Sequence, residues 1–228
     1  MDNMQKLIIY HGSSEIVEQP IFGKGKPYND YGRGFYCTEH IELAKEWACT
    51  EGIDGYANRY EIDASTLSVL NLSSPKYNIL NWLAILMENR KVRLTSAIAN
   101  QGREYLLKHF LPEYKGYDAI IGYRADDSYF SFARSFVTNQ ISLRQLGNAM
   151  RLGKLGEQFV LKSKRAFETI KFLDYTTADT SVYYPQKMAR DEDARLAYEK
   201  EISNMDLHGI FMRDILVEEM KNDDPRLQ

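Results

Sequence analysis

The sequence predicts an α+β fold in which strands and helices mix without regular alternation. Short apolar, β-branched runs typical of strands occur near both ends of residues 1–175. Between them, long stretches carry apolar residues at helical spacing, and the C-terminal stretch does so again. Because a doubly wound fold requires strands and helices to alternate along the chain, this order favours an α+β fold.

Composition excludes several classes of protein. The chain has 228 residues, 44% of them hydrophobic, and a net charge of −3, so it can bury a core but lacks a strongly basic surface for nucleic acid. No apolar run reaches the roughly 18 residues of a membrane span, and the N-terminus indicates no signal peptide. Cys37 and Cys49 lack metal-ligand spacing, which predicts free thiols, no metal site and a cytoplasmic protein without membrane contact.

The N-terminal elements are three predicted strands and a helix around a glycine-rich loop. "KLIIYHG" predicts a buried strand that ends at Gly12, "PIFGKGKPYNDYGRG" a long loop, and "FYCT" a short strand. In "EHIELAKEWACTEG" we expect a helix with Thr38 as its N-cap and Gly52 at its end, since these residue types favour those positions. "ANRYEIDAS" alternates as a strand does.

The middle and the C-terminus are mainly helical. Helices are predicted for "YNILNWLAILMENR", "TSAIANQGREYLLKHFL", "SYFSFARSFVTN" and "SLRQLGNAMRL", and strands for "YDAIIGYRADD" and "EQFVLKS". "KRAFETIKFLDY" indicates a helix or a transition between strand and helix. Two helices follow, and their apolar stripe consists of Ile210, Phe211, Ile215, Leu216 and Met220. We therefore expect a strand-bearing domain over residues 1–175 and a C-terminal helical extension over residues 176–228.

The common enzyme signatures are absent from the sequence. "GKGKP" and "GRG" form neither GxGxxG nor a P-loop, and no GxSxG or HExxH occurs. Taken singly, the glycines suit turns, His11 suits a hydrogen-bonded strand end, and Tyr36 and Trp47 suit a core. Any functional signal therefore depends on the order in which the motifs occur.

Four ordered phrases resemble the ADP-ribosyltransferase superfamily, in the diphtheria-toxin-like branch that includes the poly-ADP-ribose polymerases. "YHGS" resembles a His-Gly-Ser phrase that ends a strand, and "GRGFYCT" resembles a Gly-Lys-Gly-Ile-Tyr-Phe-Ala phrase. Trp47 stands where the polymerases carry a second aromatic residue. "YDAIIGYRADD" and "GEQFVLKSKRAF" are similar to phrases of a bacterial family of unknown function that is often assigned to this superfamily. The resemblance covers about residues 6–175.

The resemblance implies a split antiparallel β-sheet core with flanking helices and a site for NAD⁺, which is a substrate. His11 would contact a ribose hydroxyl, Ser13 a ribose or the amide, and Gly12 the nicotinamide amide through its backbone. Tyr36 and Trp47 would sandwich the nicotinamide, whose positive charge favours aromatic faces. The glycine-rich loop would close over the dinucleotide and bring a lysine near its pyrophosphate. The remaining residues assigned to binding are Lys24, Lys26, Gly32, Gly34, Phe35 and Thr38.

The third catalytic residue has two candidates, Glu157 and Gln158, which a strand directs to opposite faces. The polymerase register favours Glu157, whose carboxylate is suited to general-base work. The bacterial family is the closer one and favours Gln158, which can orient a ribose hydroxyl but cannot accept its proton. Asp126 and Asp127 suit either a turn and helix cap or contacts with an acceptor.

The resemblance implies a bacterial mono-ADP-ribosyltransferase that takes NAD⁺ and modifies a macromolecule. Small enzymes of this kind often act as toxins or defence effectors, which implies a neutralising antitoxin partner. A second interpretation is an NAD⁺ glycohydrolase with water as the acceptor. A third is an inactive module that binds a nucleotide or a protein, which Ala44 favours because the polymerases carry a serine there. The acceptor is left open between protein, nucleic acid and water.

Overall fold

A computed structural model describes residues 6–125, 127–152 and 156–227. This part of the chain contains seven strands and eight helices, which confirms the α+β class. The strands are β1 (Lys6–Ser13), β2 (Phe35–Cys37), β3 (Gly55–Asp63), β4 (Val69–Asn71), β5 (Ala119–Tyr123), β6 (Glu157–Leu161) and β7 (Ile170–Ala178). The helices are α1 (Ile41–Ala48), α2 (Ile79–Asn89), α3 (Ala97–His109), α4 (Asp127–Val137), α5 (Leu143–Ala149), α6 (Lys164–Thr169), α7 (Thr180–Ser203) and α8 (Met212–Val217), before a 3-10 turn at Pro225–Leu227.

The strands form two sheets, with strand orders β1–β3–β7 and β2–β6–β5–β4. The pairings between these strands are antiparallel, except that β4 pairs with β5 in parallel. An isolated bridge joins the sheets, in which the backbones of Tyr10 and Thr38 exchange two hydrogen bonds of 2.7 and 2.9 Å. The end of β1 therefore lies beside β2, although the two strands belong to different sheets.

The largest hydrophobic core packs helices from the middle of the chain against the four-stranded sheet. Its fully buried aromatic residues include Trp82 of α2 and Phe132 and Phe136 of α4. Burying each such side chain contributes about 1.5–3 kcal/mol. A second cluster lies around β1, β3 and β6, and its members include Ile9, Tyr60, Ile62, Phe159 and Leu161. Together the clusters hold both sheets at the position where the candidate site forms.

Helix α1 does not begin as the sequence predicts. Its N-cap is His40, and the prediction of Thr38 as N-cap was wrong. Thr38 is fully buried, because its backbone bridges Tyr10 and its hydroxyl accepts a 3.2 Å hydrogen bond from the His40 N–H. The helix ends at Ala48, ahead of Gly52, because the chain turns to extended backbone at the following residue. Tertiary pairing here overrides the capping preference of threonine.

The segment "KRAFETIKFLDY" contains both the short helix α6 and most of β7, a strand of nine residues that pairs with β3. Residue 175, where we placed the end of the strand-bearing domain, lies inside β7. Beyond it, Ile215 and Met220 of the predicted apolar stripe are buried, and Ile210, Phe211 and Leu216 are half-buried. No helix of the described residues is long and apolar enough to cross a membrane.

Candidate functional site

A cleft of about 740 Å³ is lined by residues of both sheets, of α1 and of the loop between β1 and β2. Nine predicted site residues line it, namely His11, Gly12, Lys24, Lys26, Gly34, Phe35, Tyr36, Trp47 and Gln158. Of the residues predicted for catalysis or cofactor binding, four do not line it, namely Ser13, Gly32, Thr38 and Glu157. The structure thus brings residues of all four sequence phrases to one cleft, although the phrases are far apart along the chain.

His11 lies near the end of β1, and its ring nitrogen Nδ1 is 2.7 Å from the carbonyl oxygen of Tyr36. A carbonyl oxygen only accepts, so Nδ1 carries the hydrogen and Nε2 of the neutral ring is an acceptor. The ring packs against Phe35 with a centroid distance of 4.3 Å. Burial lowers the pKa of His11, although the hydrogen bond to Tyr36 opposes this shift. A neutral imidazole suits acceptance of a hydrogen bond from a ligand hydroxyl.

Tyr36 lies on β2, and its hydroxyl is used within the protein. It donates to the carbonyl oxygen of Gly32 at 2.6 Å and accepts from the N–H of Tyr31 at 3.0 Å. Burial raises the pKa of Tyr36, so the phenol stays neutral. Gly32 has φ of +74°, a left-handed conformation that favours glycine, so its role is to form the turn that this hydroxyl holds. What Tyr36 offers a ligand is therefore its ring face and not an acid or base.

Trp47 projects from α1 and has a cation on one face of its ring. The guanidinium carbon of Arg124 lies 3.7 Å from the centroid of the Trp47 ring, and both residues line the cleft. Arg124 follows β5, and nothing in the sequence pattern links it to Trp47. A nicotinamide held between Tyr36 and Trp47 would have to use the other face of the indole or displace the guanidinium group.

The two candidates for the third catalytic residue lie on opposite faces of β6. Gln158 is buried and lines the cleft, whereas Glu157 is exposed and its carboxylate accepts a hydrogen bond from the Ser73 hydroxyl. This alternation follows from the strand period of two. In this structure Gln158 is the candidate that a ligand in the cleft could reach.

Two further residues of the cleft, Asp30 and Arg90, have no signal in the sequence beyond their residue types. The carboxylate of Asp30 accepts hydrogen bonds from Arg90 Nε at 2.8 Å, from the Ala125 N–H at 2.8 Å and from Gln158 Nε2 at 3.0 Å. Asp30 is only 5% exposed, so these hydrogen bonds, and not water, compensate its charge. An aspartate in a loop and an arginine after a helix suit a turn and a helix end, and no spacing relates them.

Packing within the protein explains why position 12 is a glycine, independently of the expected contact between its backbone and nicotinamide. A Cβ at this position would overlap the carbonyl oxygen of Ala44, because α1 packs directly on the end of β1. Ala44 itself is fully buried. Ser13 binds its own turn, since its hydroxyl donates to the Glu15 carbonyl and accepts from Asn58 Nδ2 at 3.3 Å. The Ser13 hydroxyl is therefore already hydrogen-bonded within the protein and is not directed at the expected ribose or nicotinamide amide.

The loop between β1 and β2 carries exposed lysines over the cleft and is held at its C-terminal end. Lys24 and Lys26 are exposed and line the cleft. Lys162, just after β6, donates to the carbonyl oxygens of Tyr31 and Arg33, the latter at 2.6 Å. Burial lowers the pKa of Lys162 to about 8. The glycine turn is thus fastened to the four-stranded sheet, while the lysine-bearing part reaches solvent.

The two residues predicted to contact the acceptor, Asp126 and Asp127, directly follow residues that line the cleft. Asp126 lies outside the described residues, and Asp127 is the first residue of α4. Their neighbours Arg124 and Ala125 line the cleft. Among the residues that the structure describes, no group of three or more metal-ligating side chains occurs.

Fold and cleft define an α+β protein whose buried polar groups and aromatic rings meet between two sheets. The model of the family described as "protein of unknown function (DUF3990)" matches residues 7–172, more than half of the chain. The chain belongs to this family. No curated protein and no solved structure matches it. The matched region runs from β1 into β7 and contains the lining residues of the cleft except Lys187.

Proposed function

We propose that the protein is an ADP-ribosyltransferase with the split-sheet core of that superfamily, and that it uses NAD⁺ as its substrate. One observation carries the proposal: His11, Tyr36 and Gln158 line one cleft, although they come from β1, β2 and β6. These are the three positions to which the resemblance assigns ribose binding, nicotinamide stacking and ribose orientation. Residues that served only a core would have no reason to meet at an open cleft.

The chemistry needed is the cleavage of a bond that is already weak. The bond between ribose C1′ and the nicotinamide nitrogen breaks, and nicotinamide leaves with the electron pair as a neutral molecule. The ribose then carries oxocarbenium-like charge until an acceptor binds C1′ and releases its proton. Polar groups aimed at the ribose therefore supply most of the catalytic effect. Among the neutral polar side chains of the cleft, His11 and Gln158 are the ones that the resemblance assigns to the ribose.

Binding of the rest of NAD⁺ fits the charges of the cleft. Lys24, Lys26 and Arg124 line it and suit an anionic pyrophosphate. The ring of Tyr36 suits the cationic nicotinamide, an interaction of about 1–2 kcal/mol when it is desolvated. We propose that the exposed loop that carries the lysines covers the dinucleotide.

The acceptor is proposed to be a macromolecule with a group that is already nucleophilic. Among the described residues that line the cleft, Asp30 is the one carboxylate, and its oxygens already accept three hydrogen bonds. Gln158 cannot take a proton. A third catalytic residue that is not a base favours a single transfer over chain elongation. That the enzyme is a bacterial toxin or defence effector with a neutralising partner rests on the resemblance alone.

The proposal is tested with NAD⁺ that carries radioactive phosphate next to adenosine, incubated with the purified protein and a bacterial lysate. We expect label on protein or nucleic acid, and a loss of about a hundredfold in His11→Ala and in Gln158→Ala. The matched control is Glu157→Gln, which lies on the outer face of the same strand and should keep the activity. Free ADP-ribose without labelled macromolecule would instead indicate a glycohydrolase.

Binding is tested separately by calorimetric titration with a non-hydrolysable NAD⁺ analogue. Wild type should bind, and Tyr36→Ala should not. Tyr175→Ala removes a half-exposed ring from β7, away from the cleft, and should bind as wild type does. The absence of binding by folded wild type at millimolar analogue would overturn the NAD⁺ proposal and leave the interpretation as a partner-binding module.

A further inference from the structure

The amide of Gln158 has one orientation that its surroundings permit. Its Nε2 is 3.0 Å from Oδ2 of Asp30, and each residue is 5% exposed. An ionised carboxylate accepts hydrogen bonds and has none to donate, so the nitrogen of the amide must face Asp30. The amide oxygen Oε1 is then the atom that Gln158 can present to a ligand in the cleft.

Asp30 is itself held in place from two directions. Arg90, at the C-terminal end of α2, donates to one carboxylate oxygen at 2.8 Å. The backbone N–H of Ala125 donates to the other at 2.8 Å. A buried carboxylate with a guanidinium partner and a backbone donor has little freedom to rotate.

We infer that Asp30 is a positioning residue that orients the Gln158 amide and makes glutamine, not glutamate, the residue suited to this position. The orientation follows from the hydrogen bonds alone. The further statement that Oε1 accepts a hydrogen bond from a ribose hydroxyl rests on the proposed function. The inference also gives a physical reason why this cleft lacks the glutamate of the polymerases: the neighbouring carboxylate excludes a second one.

A glutamate at position 158 would bring two carboxylates within hydrogen-bonding distance in a buried site. Like charges so close cannot both remain ionised, so one proton is retained and the pKa of the pair rises. The single guanidinium of Arg90 balances one negative charge and not two. Moving the carboxylate instead, with asparagine at 30 and glutamate at 158, restores the charge balance and a donor–acceptor pair between the two side chains. The Ala125 N–H then loses its acceptor, because it shares Oδ2 of Asp30 with Gln158, so the double variant is compared by its pH dependence and not by its absolute stability.

Other charged and titratable groups surround this pair and are common to every variant compared. They are Arg90, Arg124, Tyr31, Tyr36 and His11, with Lys24 and Lys26 on the loop. Burial raises the pKa of both tyrosines, so they stay neutral over the range used. Burial lowers the pKa of His11. Because His11 is present in all variants, differences between variants report the carboxyl groups.

The test is thermal unfolding of wild type, Gln158→Glu, Asp30→Asn and the double variant between about pH 4.5 and about pH 8. A carboxyl whose pKa is raised on folding binds more protons in the folded state, so stability falls as pH rises above about 4.3. Gln158→Glu should therefore match wild type near pH 4.5 and unfold about 5 °C lower near pH 8. Asp30→Asn followed by Gln158→Glu should remove that pH-dependent loss.

Glu157→Gln is the control on the outer face of β6, and its effect should stay within about 2 °C at every pH. Equal stability of Gln158→Glu and wild type near pH 8, or an unchanged loss in the double variant, would overturn the inference. These measurements need no NAD⁺. If they agree with expectation while wild type neither binds nor uses NAD⁺, the positioning role stands and the proposed function fails.

Discussion

Among the glycines that line the cleft, Gly12 has the least room for a side chain. A Cβ there would overlap the Ala44 carbonyl oxygen, which is backbone of α1 and cannot rotate away. We expect Gly12→Ala to lower the free energy of unfolding by about 1–3 kcal/mol, because α1 must shift from β1. Thermal unfolding checks this as a fall of about 3–10 °C.

The control for this prediction is a glycine with open space. A Cβ at Gly147 of α5 would meet no atom within 4 Å. Because alanine is the better helix former by about 1 kcal/mol, Gly147→Ala should leave the melting temperature unchanged or raise it. A Gly12→Ala protein as stable as wild type would show that α1 does not press on β1.

His11 should make stability depend on pH in the acidic range. Burial lowers its folded pKa below the value near 6.5 of the unfolded chain, so the unfolded state takes up the proton first. The stabilising contribution is therefore complete above about pH 6.5 and is lost as pH falls through the folded pKa. His11→Gln keeps a hydrogen-bonding side chain and removes this dependence.

The measurement is urea unfolding of wild type and His11→Gln at several pH values between about 5 and about 7.5. As pH rises across that range, the free energy of unfolding of wild type should increase relative to that of His11→Gln. His208→Gln, in the C-terminal segment, is the matched control. A difference that stays constant with pH would show that His11 titrates in the folded protein as it does in the unfolded chain.

At the residue scale, the sequence predicted the site residues that lie in the strand phrases, but not the residues elsewhere in the chain that pair with them. His11, Tyr36 and Gln158 line the cleft as the phrases suggest. Asp30 and Arg90 do not belong to any of the matched phrases, and their pairing with Gln158 exists only after residues 30, 90 and 158 are folded together. Long-range pairing of charges leaves no periodicity in a single sequence.

At the scale of elements, α1 lies between β1 on one side and α7 on another. Glu46 of α1 and Arg190 of α7 form a two-pronged ion pair, with Nη2 to Oε1 at 2.7 Å and Nε to Oε2 at 2.9 Å. The side chain of Glu46 is 3% exposed and that of Arg190 is 30% exposed. The next residue along α1 is Trp47, so this ion pair helps to fix a wall of the cleft.

Removing one partner of this ion pair should lower the free energy of unfolding more than removing both partners does. Arg190→Met leaves the buried Glu46 carboxylate without its guanidinium partner, which should cost about 1–3 kcal/mol, less than for a fully buried pair because Arg190 reaches solvent. The double variant Glu46→Gln with Arg190→Met should recover much of that loss. Urea unfolding of both variants and of Glu46→Gln gives the coupling energy, and purely additive effects would contradict the prediction.

Elements with a clear apolar period were predictable, and those defined by pairing were not. The helices α2 and α3 carry apolar residues at helical spacing, as the sequence indicated. Strand β7 is largely exposed, so its residues lack the apolar alternation that marks a half-buried strand. β4 has only three residues and is held by parallel pairing with β5. Neither strand can be recognised without its partner.

At the scale of the whole molecule, the C-terminal segment contributes to the largest core. Ala194 of α7, Met212 and Ile215 of α8 and Leu227 are buried in the same cluster as Trp82. Met212 lies against α3, where its Cγ would be 2.8 Å from a Cβ at Gly102. A segment packed in this way should unfold together with the sheets, in one cooperative transition.

Met212→Ala tests this cooperativity. The side chain is fully buried, so its loss should lower the free energy of unfolding by about 2–4 kcal/mol through lost contacts and the cavity left behind. The loss should appear equally in helix content, followed by circular dichroism, and in tryptophan fluorescence, since Trp82 shares the core with Met212. Met205→Ala is the control, because Met205 is 79% exposed and its truncation should change stability by less than about 0.5 kcal/mol. If residues 176–228 were instead an independent extension, Met212→Ala would shift the dichroism transition and leave the fluorescence transition in place.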